Sequence, residues 1–226
     1  MPLALYGHPF SSYTQKVLIA LYENGTPFEF RCIGPDTPEH VTEWMRRWPL
    51  RKFPLLLDGE RQVVETSIII EYLQLAHPGP VRLIPTDPMA ALDVRFLDRF
   101  FDLHVMDAMQ IAVDSALGRV PVKSEQGLLI ARERLERAYA WLEGELAGRT
   151  SGAGAETWAA GADFTMADCA AAPSLFYADW THQIPEAYPG LRAYRARLLA
   201  RPSFARAVDE ARYFRPNFPL GAPDRD

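Results

Sequence analysis

A chain of 226 residues, 48% of them hydrophobic, is long enough for one large domain or two small ones and apolar enough to bury an ordinary core. Its formal net charge is -5 without any long run of Lys or Arg, which argues against a nucleic-acid partner, and charges break the apolar stretches well short of a membrane span. The two cysteines, Cys32 and Cys169, lie far apart outside any Cys-x-x-Cys pattern, so a disulfide framework or structural zinc is not expected.

Residues 3–6 form an apolar run of strand type, with no basic and apolar leader before it, and the protein is expected to stay in the cytoplasm. Ser12–Glu23 sets Val17, Leu18, Leu21 and Tyr22 on one helical face before Asn24-Gly25 stops it. Phe28, Phe30 and Cys32 alternate with Glu29 and Arg31, the period of a half-buried second strand. A short helix is expected over residues 38–48. A hairpin follows, with strands at 54–57 and 62–64 around the Asp58-Gly59 turn. A third helix over residues 67–75 should turn Ile68, Ile69, Tyr72 and Leu73 toward the sheet. This order, βαβαββα, is that of a thioredoxin-like α/β domain.

Four prolines between residues 77 and 88 mark a linker, and the pattern beyond it is helical. Long amphipathic stretches cover 89–117 and 124–146, and 148–155 reads as a small, polar, mobile loop. Pro173 is expected to kink a helix over 166–177 because it removes one backbone donor.

Several short motifs carry chemistry. Gly7-His8-Pro9-Phe10-Ser11 brings a serine hydroxyl to the start of the first helix, where donors and positive potential favour a thiolate. Lys52-Phe53-Pro54 precedes the hairpin. At Glu65-Thr66 a strand passes into a helix, so Thr66 can cap the helix and offer a hydroxyl and an N–H to a carboxylate, while Glu65 can meet an ammonium. Thr165-x-x-Asp168, within the segment 161–168, has the form of a structural capping box. Each has a plainer reading too: a serine N-cap, a proline at a strand start, a helix cap beside a surface acid. The five histidines show no metal-ligand spacing with carboxylates or cysteines, and no metal is expected.

These motifs, together with 188–191 and 201–204, resemble those of the cytosolic glutathione transferases of the serine type, as in phi-, theta- or zeta-like bacterial members, over nearly the whole chain. The resemblance implies a thioredoxin-like glutathione-binding domain at 1–77, a linker at 78–88 and an all-α helical bundle domain with a hydrophobic substrate pocket at 89–226. It implies glutathione as co-substrate, with Ser11 as the catalytic hydroxyl and Ser12 as the alternative should the turn shift by one residue. Tyr13 is a weaker third choice, and Tyr6 sits where other classes carry a tyrosine. A cis bond before Pro54 would turn the Phe53 backbone toward the ligand's cysteine. Glu65 and Thr66 would take the γ-glutamyl end, and Lys52 and His40 would face the glycine carboxylate. Many relatives carry Asn-Pro-x-Gly where this chain has Trp48-Pro49-Leu50-Arg51, a departure at the glycine end.

The expected activity is conjugation of the glutathione thiolate to apolar electrophiles. Isomerase, dehalogenase or peroxidase chemistry, or a binding protein without turnover, stand as alternatives. Val105, Met106, Met109, Tyr177 and Trp180 are candidate walls of the electrophile pocket, with Phe214 and Phe218 as its lid. A homodimer is also expected, with Phe96, Phe100 and Phe101 at its face and Arg95 and Arg99 as ion-pair partners.

Overall fold

The computed structural model describes residues 3–150 and 157–226. Strands β1 (Leu3–Gly7), β2 (Phe28–Cys32), β3 (Leu55–Asp58) and β4 (Arg61–Val64) form one mixed sheet in the order β2-β1-β3-β4. β1 runs parallel to β2 and antiparallel to β3, and β3 and β4 are paired antiparallel. Helices α1 (Ser12–Glu23), α2 (Pro38–Arg47) and α3 (Thr66–Ala76) cover the sheet. β1 is apolar throughout because both its faces are covered. Leu3 and Leu5 meet Val17, Leu21 and Ile69 on one side, and Ala4 and Tyr6 meet Trp44 of α2 on the other.

Residues 77–87 contain no helix or strand, yet Leu83 and Ile84 are buried in the core of the helical part. That part comprises α4 (Pro88–Phe100), α5 (Asp107–Ala116), α6 (Ser124–Thr150), α7 (Met166–Thr181), α8 (Pro189–Ala200) and α9 (Pro202–Ala211), followed by a 3₁₀ turn at Arg212–Asn217. Every residue of α7 is buried, as expected of a central helix that is apolar on all sides, and its run of alanines lets neighbouring helices approach closely. Asp168 accepts the Thr165 N–H at 2.8 Å and the Tyr194 hydroxyl at 2.6 Å inside this core, and burial raises its pKa. Among the described residues no helix is long and apolar enough to cross a membrane.

Several expectations change. The stretch 89–117 is not one regular helix, since six residues, Phe101–Met106, form π-helical turns between α4 and α5. The third helix begins at Thr66, and Ile68 is 54% exposed, because Ile69 and Leu73 fill the sheet side while Ile70 turns to the helical core. α6 continues through Gly148 to Thr150, and the rest of the expected loop, 151–155, lies outside the described residues. α7 runs past Pro173 to Thr181.

α1 joins the two parts. Its Glu23 accepts two hydrogen bonds from Arg201, at 2.7 and 2.6 Å, and one from Ser203. Its Lys16 reaches into the helical side, where it ends among carboxylates.

Candidate active site

The turn from β1 to α1 is built on a close approach. A Cβ on Gly7 would lie 2.6 Å from Thr14 Cγ2, so only glycine lets the strand end pass over the first helical turn. His8 N–H donates to Thr14 Oγ1 at 3.3 Å, and His8 Nδ1 accepts the Phe10 N–H at 3.1 Å. Burial lowers the His8 pKa, which favours the neutral ring that this acceptor role requires. Gln15 Nε2 donates to the Pro9 carbonyl at 3.0 Å and lies 3.2 Å from the Tyr177 hydroxyl, tying the turn to α7.

Ser11 is the N-cap of α1, its Oγ accepting the Thr14 N–H at 3.3 Å. Capping uses a lone pair of the hydroxyl and leaves its proton free to be donated. Among the described residues the N–H groups of Ser12 and Tyr13 have no backbone acceptor, so the helix start offers further donors. All three residues line a cavity of about 740 Å³, whose apolar walls include Phe10, Met109, Tyr177 and Phe218.

A second cavity of about 290 Å³ shares Tyr13, Lys52, Phe53 and Asp107 with the first and adds Pro54, Glu65, Thr66 and Arg99. The Phe53–Pro54 bond is cis. Trp44 Nε1 donates to the Lys52 carbonyl at 3.0 Å and holds this loop against α2. Glu65 has φ 68°, a region a side chain rarely adopts, and it rather than Thr66 occupies the N-cap position of α3. Thr66 is therefore the first helical residue, not the cap, because the chain turns one residue earlier than the Thr signal suggests.

The cavities rest on a buried ionic cluster. Lys16 is 1% exposed, with its Nζ 2.7 Å from Asp98 Oδ1 and 2.9 Å from Asp102 Oδ2. Lys16 also donates to Ser67 Oγ at 3.1 Å, and Ser67 in turn donates to Asp98 at 2.6 Å. Burial raises the Asp102 pKa against the opposing pull of Lys16. The π-helical turns bring Asp102 and Leu103 to the smaller cavity. Tyr13 donates to Asp107 at 3.3 Å, and burial, with Asp102 and Asp107 nearby, pushes its phenol well above the ordinary value.

Arg51 lines the larger cavity with φ 54°. It closes a turn on Trp48, its N–H donating to the Trp48 carbonyl at 2.9 Å with Pro49 at the second position. A left-handed conformation at a non-glycine residue costs about 1–2 kcal/mol.

Other residues singled out in the sequence lie elsewhere. His40 Nδ1 is 3.0 Å from the Cys32 carbonyl, and His40 lines neither cavity. The Tyr6 hydroxyl lies on the α2 side of the sheet and accepts from Arg31 at 2.5 Å. Val105, Met106 and Trp180 are core residues rather than walls of this cavity, and Phe214 packs on His8 at 4.5 Å without lining it. Arg99, Asp102 and Asp107 line the smaller cavity without any sequence signal, and for Asp102 no spacing rule marks the π-helical turn that carries it.

Residues 5–81 match the family model described as glutathione S-transferase, N-terminal domain, and residues 90–197 match the one described as glutathione S-transferase, C-terminal domain. A probable maleylacetoacetate isomerase of Vibrio cholerae is 29% identical over 215 residues, spanning 93% of this chain and 97% of that protein. Among solved structures, a glutathione S-transferase from Methylobacterium radiotolerans in complex with glutathione sulfonate is 31% identical, with a TM-score of 0.72, and the match covers 92% of this chain and 95% of that one. A maleylacetoacetate isomerase from Methylobacterium extorquens, with bound malonate and glutathione, has a TM-score of 0.75 at 22% identity and covers 99% of each chain, a likeness of fold.

Proposed function

The chain belongs to the glutathione S-transferase family, and from that premise we propose that it binds glutathione across the two joined cavities and transfers its sulfur to an electrophile with an apolar body. The observation that carries this reading is Ser11, an N-capping hydroxyl that opens onto the larger cavity beside the N–H groups of Ser12 and Tyr13, which have no backbone acceptor among the described residues. Donors at a helix start favour the anion, so the bound thiol ionises more readily and its proton leaves to solvent. The sulfur's electron pair then forms the C–S bond, and the leaving group departs with its own bonding pair.

Glutathione's peptide main chain fits beside Phe53, whose N–H and C=O have no backbone partner among the described residues. Its γ-glutamyl end fits at Glu65 and Thr66, with Lys52 left for the glycine carboxylate. Glu65→Ala is expected to weaken glutathione binding roughly tenfold or more, the worth of one charge-assisted hydrogen bond, without loss of fold. Isothermal calorimetry reads this directly, and equal affinity in mutant and parent would remove the γ-glutamyl site.

A second reading is favoured by the relative named as a probable isomerase. The same thiolate adds to an activated cis double bond, the bond rotates, and elimination returns the thiolate unchanged. Turnover of an aromatic halide, set against isomerisation of a cis-enone acid, separates the two chemistries.

A homodimer is proposed as well, on a narrower face than the sequence suggests. Phe100 and Phe101 are buried in the chain's own core, and Arg95 is held by Glu71 at 2.8 and 2.9 Å. Met89, Leu92 and Phe96 remain exposed at helical spacing on α4, and Ile68 of α3 is exposed as well. Light scattering is expected to give twice the 25.5 kDa chain mass, and Phe96→Glu should shift the protein toward monomer. A monomer at every concentration would refute the pairing.

A further inference from the structure

Tyr177 of the central helix α7 lines the same cavity as Ser11 and carries a hydroxyl that activation of the thiol does not use. Its ring is covered on all sides by other rings. Phe10, Phe176 and Trp180 meet it edge to face at 5.4, 5.1 and 5.4 Å, and Phe218 stacks on it at 6.2 Å. The hydroxyl end reaches the turn from β1 to α1, where Gln15 Nε2 lies 3.2 Å from the Tyr177 oxygen and 3.0 Å from the Pro9 carbonyl. These two contacts fix the direction of each proton. The Pro9 carbonyl can only accept, so Gln15 must turn its NH2 and not its oxygen toward it. The second proton of that NH2 goes to Tyr177, whose oxygen is therefore an acceptor. The phenol proton is left without an acceptor among the described residues, on a side chain only 2% exposed. Buried polar groups are normally paired, and an exception in the wall of a cavity points to a ligand. Burial pushes the phenol well above its ordinary pKa, so it stays protonated and serves as a donor rather than a base.

We propose that Tyr177 is a second catalytic residue of this site, whose hydroxyl donates a hydrogen bond to the oxygen of the electrophile that gains negative charge as the sulfur attacks. This rests on the reading of the cavities as a glutathione and electrophile site. Ser11 then serves the sulfur and Tyr177 the accepting end of the second substrate, one from α1 and the other from α7. With an enone, the sulfur's electron pair forms the C–S bond at the β-carbon, and the double-bond pair moves through the α-carbon onto the carbonyl oxygen. Tyr177 stabilises that enolate without giving up its own proton. The proton that the thiol lost to solvent is matched by one taken from solvent at the α-carbon, so atoms and charge balance. An electrophile that loses halide from a saturated carbon develops no charge on oxygen, and the hydroxyl has nothing to offer it.

The test compares two electrophiles on the full-length protein with glutathione: benzylideneacetone, an enone, and benzyl chloride, which has no oxygen. In Tyr177→Phe, kcat/KM for benzylideneacetone should fall about tenfold to a hundredfold, while kcat/KM for benzyl chloride and the Kd for glutathione stay within about twofold of the parent. Phenylalanine keeps the ring packing and removes only the hydroxyl, and Gln15 keeps its bond to the Pro9 carbonyl. Equal losses on both electrophiles, or a loss in glutathione affinity, would make the hydroxyl a structural tie between α7 and the turn and overturn the proposal. Unchanged turnover of the enone in Tyr177→Phe would overturn it too. A parent that binds no glutathione would instead refute the underlying site.

Discussion

Replacing Lys16 with methionine is expected to lower stability by about 3–5 kcal/mol, the usual penalty for removing one partner of a buried ion pair. Lys16 is fully enclosed, and its ammonium lies between Asp98 and Asp102 from the helical side. Methionine fills the same space and leaves two carboxylates facing each other without a cation. The loss should be greatest near neutral pH and shrink on acidification. Burial already holds the Asp102 pKa above its unfolded value, so the folded state binds its proton first as pH falls, and a protonated carboxyl needs no cation. Urea unfolding followed at several pH values reads both effects. An unfolding free energy that changes by only a few tenths of a kcal/mol would mean that the cluster adds nothing beyond its packing.

The second large effect is at Ser11. Ser11→Ala is expected to reduce turnover by roughly one to two orders of magnitude, since a hydrogen bond to an anion is worth about 1.5–3 kcal/mol. Glutathione affinity should change little, because in the proposed site Phe53, Glu65 and Lys52 take the rest of the molecule. The mutation also removes the cap on Thr14 N–H, a loss of about 1 kcal/mol in stability. Ser11→Thr separates the two roles by restoring a hydroxyl at the cap. In Ser11→Ala the pH–rate profile should shift to higher pH as the bound thiol becomes a weaker acid. An unchanged profile there, with a shifted one in Ser12→Ala, would assign the hydroxyl to Ser12.

Much of the fold was legible because its signals are local. The alternation in β2, the Asn24-Gly25 stop after α1 and the Thr165-x-x-Asp168 box each depend on residues a few positions apart. Apolar pattern alone could not assign Phe100 and Phe101 to the core and Phe96 to the surface, since all three are large and apolar and only the packing of α6 and α7 separates them. The start of α3 was missed by one residue because a glutamate in a left-handed conformation has no sequence signature. The π-helical turns that bring Asp102 to the site follow from tertiary contacts. The residues 48–51 stood out as a departure from the family pattern, but the positive φ of Arg51 and its place in the cavity required the structure.

On the proposed function, this protein binds glutathione and makes its thiol a stronger acid through Ser11. The ultraviolet absorbance of the thiolate, titrated against pH in the glutathione complex, tests that most directly. The bound thiol pKa is expected to lie clearly below the ordinary cysteine value of about 8.5 and to move back toward it in Ser11→Ala. A bound thiol that titrates like free glutathione in the parent protein would rule out activation by Ser11.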